Sequence, residues 1–175
     1  MHFSWLRRLT LALLFTLGAA GCVLGQSTAT VIVVRHAEKL DDSTDPALSD
    51  AGNARAQALA EALAHAGVSA IITTQYERTR STAAPLGERI GIEPVIVAAT
   101  GRSHVDDVAA RVRELAPGTI VVVGHSNTVP AIIRALGGPD VGEIADSSYD
   151  DLFVLMLSED GTRLIRARYG AFSET

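Results

Sequence analysis

Residues 30–34, Thr-Val-Ile-Val-Val, form an unbroken run of β-branched side chains that leads straight into Arg35 and His36. β-branched residues favour extended backbone. A strand that is apolar at every position, rather than at every second one, must be covered on both faces, as in sheets held between helix layers. Residues 119–123, Thr-Ile-Val-Val-Val, show the same pattern and lead into Gly124 and His125. Helical spacing takes over around these runs. Ser49 is placed to cap a helix rich in alanine and leucine (Leu59, Leu63) that stops at Gly67. Residues 68–74 read as a second strand, 78–90 as a helix stopped by Gly91, and 94–98 as a short strand. Ser103 and Asp106 have capping-box spacing for a helix with the apolar face Val105, Val108, Ala109, Val112 and Leu115. Residues 128–136 read as a short helix with Pro130 in its first turn. Residues 152–157 and 163–169 read as strands joined through Glu159-Asp160-Gly161, a turn that favours a hairpin. The expected fold is α/β: a three-layer α/β/α sandwich with a mostly parallel central sheet and a C-terminal antiparallel hairpin, formed by one domain over residues 30–170.

The first 21 residues stand outside that domain. Arg7 and Arg8 precede an apolar run, and Ala19-Ala20-Gly21-Cys22 supplies a small-residue exit, the order of a secretory signal. The stretch resembles a bacterial lipoprotein signal, and the resemblance implies that Cys22 is lipidated. Ordinary cleavage near Gly25 and an uncut anchor are the alternatives. Residues 22–29 then serve as a short linker, and the expected location is the bacterial envelope, either periplasmic or membrane-anchored through lipid. Cys22 is the sole cysteine, which rules out an internal disulfide.

Without residues 1–21 the basic count falls from 15 to 13 while the acidic count stays at 20, leaving a net charge near −7. Such a balance argues against nucleic acid or an anionic membrane surface as partner. Any site for an anionic substrate must therefore gather its few arginines locally. In parallel α/β sheets, ligands bind at the carboxyl ends of the strands. There the first run delivers Arg35-His36, the second leads to Arg78, and the run at 119–123 delivers His125. If these strands are neighbours, two arginines and two histidines meet. Arginine offers a planar fork of donors to phosphate oxygens, and a histidine held through one ring nitrogen can attack phosphorus with the other.

Arg35-His36-Ala37-Glu38 resembles the Arg-His-Gly/Ala-Glu signature of the histidine phosphatase superfamily, in the branch that contains phosphoglycerate mutases. Residues 73–83 resemble its second motif, an arginine four residues before a threonine, which selects Arg78 over Arg80 because Thr82 is that threonine. Gly124-His125-Ser126-Asn127-Thr128 resembles the third. The resemblance implies a phosphoric monoester hydrolase with His36 as the phosphorylated nucleophile and with Arg35, Arg78 and His125 as the phosphate clamp. It implies no cofactor, and its partner would be a small phosphorylated substrate. Glu38, Lys39 and Asn127 lie beside the motifs as candidate substrate-binding residues. The glutamate stretch by which mutases protonate the leaving oxygen is absent, so Asp106, with Asp107 and His104 beside it, is the candidate donor and mutase activity is not expected.

Two other functions fit parts of the pattern. Ser126 stands between a strand and a helix as a serine hydrolase nucleophile would, although the closing glycine of that elbow is missing. A phosphate-compound binder or sensor without turnover would also use the arginines. A metal site is not expected, because arginines flank the histidines and no carboxylate stands at ligand spacing from both.

Overall fold

The computed structural model describes residues 29–173. The signal at 1–21, Cys22 and the linker up to residue 28 lie outside the described residues.

Six strands form one sheet in the order β3-β2-β4-β1-β5-β6. Strand β1 (Ala29–Arg35) occupies the middle, parallel to β4 (Gly118–Gly124) on one side and antiparallel to β5 (Asp151–Ser158) on the other. Strand β2 (Val68–Thr73) continues the parallel half beside β4, with β3 (Val95–Ile96) at its edge. Strand β6 (Gly161–Arg168) pairs antiparallel with β5 and closes the other edge. The sheet is thus mostly parallel with an antiparallel C-terminal pair.

Alternation along the strands explains the layers. Val31, Val33, Ile120 and Val122 pack with Val108, Val112, Ile132 and Ile133 on one face. These come from α3 (His104–Leu115) and α4 (Val129–Ala135). Ile32, Val34, Val121 and Val123 pack with Leu59, Leu63, Ala83 and Leu86 on the other, beneath α1 (Asp50–Leu63) and α2 (Glu77–Ile90). Both faces of β1 and β4 are therefore dry, which is why those two runs carry no alternation. Among the described residues, no helix is long and apolar enough to cross a membrane.

Local differences from expectation have local causes. Ser49 caps α1, its hydroxyl accepting from the Gly52 amide at 3.1 Å. Ser103 makes no such bond: its backbone is already helical (φ −83°, ψ −11°), whereas a capping side chain needs an extended residue to reach the first turn. The Ser103–Asp106 box does not form. Strand β3 is two residues long instead of five; the Val97 amide still bonds to the Thr73 carbonyl at 2.9 Å, and beyond it the Ala99 amide turns to the Gln75 side chain at 2.7 Å. At the hairpin, Ser158 pairs with Gly161, so the turn is Glu159-Asp160 and the glycine enters the strand at φ +126°, where other residues are strained.

Candidate active site

Strand order does what the sequence left conditional. Because β1 lies beside β4, the His36 amide extends the ladder by bonding to the Gly124 carbonyl at 2.9 Å, and His36 and His125 come to stand side by side with ring centres 5.3 Å apart. Arg78 arrives from the first turn of α2, just beyond β2. Arg35, His36, Arg78 and His125 line one cavity of about 240 Å³, together with Lys39, Ser43, Thr44, Pro46, Ser126, Asn127 and Asp146.

His36 is held for one task. Its Nδ1–H donates to the Ala37 carbonyl at 2.8 Å, which leaves Nε2 with its lone pair. The Ala37 amide in turn donates to Thr82 Oγ1 at 2.9 Å, and Thr82 Oγ1 donates to the Arg78 carbonyl at 2.7 Å. The threonine of the second motif thus fixes the loop that orients the histidine of the first, a role that its spacing from Arg78 alone did not reveal. Burial pushes the His36 imidazole down to about 4, helped by Arg35, Arg78 and Lys39 and opposed by the bond to Ala37. His36 is therefore neutral at neutral pH, as a nucleophile must be.

His125 is pushed down to about 3, first by burial and then by His36 and Arg78. Its Nε2 lies 3.2 Å from Thr74 Oγ1, which lies 2.9 Å from Thr79 Oγ1, and Thr79 Oγ1 donates to the Tyr76 carbonyl at 2.9 Å. A chain that ends on a carbonyl fixes the donor order from that end, so Nε2 carries the proton of a neutral His125. The second histidine is therefore neutral, with its one ring proton spent on Thr74.

The two arginines are anchored differently. Arg35 Nη1 donates to the carbonyls of Ala145, Asp146 and Ser148 at 2.8, 3.0 and 3.0 Å, and the guanidinium stacks 4.1 Å from the centre of the Tyr149 ring. Its buried Nε has no partner. Arg78 stacks 4.3 Å over Tyr76 and lies 3.6 Å from Asp45, leaving the rest of its fork for an anion. Arg80 lines a separate cavity beside β3.

Other candidates fall elsewhere. Glu38 does not line the cavity: Arg55 grips its carboxylate with bonds of 2.7 to 2.9 Å and donates onward to the Tyr169 carbonyl at 3.0 Å. Gly52 lets α1 approach that segment, since a Cβ there would collide with the Glu38 carbonyl. Glu38 is a clasp between the loop after β1 and α1. Lys39 and Asn127 do line the cavity, with Lys39 Nζ bonded to Asp42 at 2.8 Å. Asp106 is exposed on α3 and lines neither this cavity nor the adjoining one of about 310 Å³, which shares Arg78, His125 and Asn127. His104 does line the adjoining one, but its Nδ1–H is spent on the Ala98 carbonyl at 3.1 Å and its Nε2 is shut off from solvent without a partner. Ser126 has no hydrogen bond to a base among the described residues. Nor, among them, is any group of three His, Cys, Asp or Glu side chains arranged to hold a metal ion.

The family model of the histidine phosphatase superfamily (branch 1) matches residues 31–101, which contain the first two motifs. No curated protein matches the chain by sequence. Among solved structures, mycobacterial glucosyl-3-phosphoglycerate phosphatase is similar at 16% identity and a TM-score of 0.60, over 82% of this chain and 99% of that one. A structure described as phosphohistidine phosphatase SixA, from Agrobacterium tumefaciens, is similar at 22% identity and a TM-score of 0.60, over 82% and 97%. One described as an α-ribazole-5′-phosphate phosphatase, from Escherichia coli, is similar at 14% identity and a TM-score of 0.63, over 84% and 99%. The first two motifs lie inside the region matched by that family model, and the fold of the chain is similar to that of these solved structures.

Proposed function

We propose that this protein hydrolyses phosphomonoesters through a covalent phosphohistidine at His36. The observation that carries the reading is the state of His36: neutral, held through Nδ1 and gathered with two arginines and a second histidine in one cavity. Nε2 attacks phosphorus while the arginine forks, joined by His125 once the incoming phosphoryl group draws a proton onto its Nδ1, stabilise the charge spread over the equatorial oxygens. Water then hydrolyses the phosphohistidine. The substrate is a small phosphorylated compound, and neither cofactor nor metal is required. Mutase activity is not expected, because the stretch after the second motif, residues 98–107, lacks the glutamate that the resemblance to mutases would place there.

His36→Ala should lower turnover of an aryl phosphate at least about a thousandfold, as removal of a covalent nucleophile does. Wild-type turnover in that variant would overturn the mechanism. Phosphate binding in a wild-type protein that turns over no phosphate ester would favour a binder or sensor instead. We also propose that the domain is exported and held at the envelope through lipid on Cys22. The intact mass of protein isolated from that compartment decides between lipidated Cys22 and simple cleavage.

A further inference from the structure

We propose that Asp146 is the proton donor to the leaving group and the acceptor of the proton from the attacking water; the proposal rests on the phosphohistidine reading above. Within the two joined cavities that hold the histidines and arginines, Asp146 is the one carboxylate in the lining. Its side chain is 99% exposed at the mouth, whereas His36 is 4% exposed at the floor. In-line displacement places the leaving oxygen opposite the attacking nitrogen. With the nucleophile on the floor, that oxygen points to the mouth, where Asp146 stands.

The loop carrying Asp146 is not free to wander. Arg35 binds the carbonyls of Ala145, Asp146 and Ser148, and Arg35 Nη2 lies 3.7 Å from the Asp146 carboxylate. One guanidinium therefore ties the proton donor to the place where a phosphoryl oxygen binds. Rival groups are occupied or misplaced. Arg55 holds Glu38, and Asp45 accepts the Glu77 amide at 2.8 Å. The hydrogen bond to Asp42 pushes Lys39 up, which suits it poorly to take a proton from water in the second half of the cycle.

The cycle balances. His36 Nε2 forms a bond to phosphorus as the ester P–O bond breaks, and the Asp146 carboxyl gives its proton to the departing oxygen, which leaves as an alcohol. Water then attacks phosphorus and gives a proton to the Asp146 carboxylate. The N–P bond breaks, its electron pair returns to Nε2, and inorganic phosphate departs.

The test compares leaving groups in Asp146→Asn, an exposed substitution that removes no packing. For ethyl phosphate, a poor leaving group, kcat/KM should fall at least about a hundredfold, the usual worth of a positioned acid. For p-nitrophenyl phosphate, whose leaving group needs no proton, kcat/KM should stay within about threefold. Rapid mixing should then show a burst of nitrophenol followed by slow turnover, as phosphohistidine waits for its base. An equal fall for both esters, or no change in either, would overturn the proposal. So would tighter phosphate binding with an unchanged leaving-group dependence, which would make Asp146 only a shield for Arg35. Failure of the underlying reading looks different: His36→Ala would then remain active, or the wild type would form no phosphoenzyme.

Discussion

The floor and the rim of the cavity are built on opposite plans. On the floor, His36, His125, Arg35, Thr74, Thr79 and Thr82 are buried, and the threonines join the loops through hydrogen bonds. At the rim, Ser43, Thr44 and Asp146 are exposed and Lys39 is half-exposed. The contrast assigns chemistry by depth. Loss of water on the floor sets protonation, since both histidines are held neutral chiefly by burial. The rim keeps its water and can exchange protons with it, which a nucleophile should not do and a proton donor must.

The largest expected effect is on stability in acid. His36 has a folded value of about 4 against an ordinary 6.5, so the unfolded chain takes up the proton first as pH falls. The stabilisation is complete above pH 6.5 and is lost as pH falls towards 4, amounting to about 3 kcal/mol for this one group. Urea midpoints measured from pH 7 to pH 4 should therefore slope less steeply in His36→Asn than in the wild type. His125, also depressed, keeps the variant's slope from vanishing. Equal slopes would mean that the floor is wet, and the distinction between floor and rim would collapse.

Next in size is Thr82→Ala, which tests whether the floor works as a unit. Thr82 is fully buried, and the substitution strips the Ala37 amide of its acceptor. The cost should be about 1–3 kcal/mol in urea unfolding. Because the same peptide unit orients His36 through its carbonyl, kcat should fall about ten- to a hundredfold, with Thr82→Ser recovering most of it. A loss of stability with kcat intact would reduce Thr82 to a packing residue.

Depth also decides how much could be read from the sequence. The floor was legible because its residues follow the strands: unalternating β-branched runs announce a doubly covered sheet, and the residues after them must fall at its ligand-binding edge. The order β2-β4-β1, which makes those ends neighbours, is a long-range outcome that no local pattern states. Glu38 was misplaced by nearness in the chain. Two residues past His36, its carboxylate is taken by Arg55, and nothing in an alanine-rich helical stretch marks that arginine as buried. Asp106 follows the second motif in a polar stretch whose other carboxylate is Asp107, yet it is exposed on α3 and does not line the cavity. Asp146 lies 111 positions beyond Arg35 in a loop without periodicity, so only the folded contacts connect them. Rims are assembled from such loops, and for that reason they are the least readable part of a site.

The smallest effect should come from Lys39, and it is the sharpest check on the rim. Lys39 Nζ is bonded to Asp42, itself almost wholly exposed, so its charge is already matched within reach of solvent. An exposed pair of this kind contributes little, and salt screens it. Lys39→Ala should raise KM for an aryl phosphate about threefold or less at low salt, leave kcat unchanged, and lose even that difference at high salt. If kcat instead fell tenfold at every salt concentration, Lys39 would be acting on the reacting atoms rather than on the approach to them. The rim would then hold a catalytic cation beside the carboxyl of Asp146, and depth would no longer separate the groups that set protonation from those that guide the substrate in.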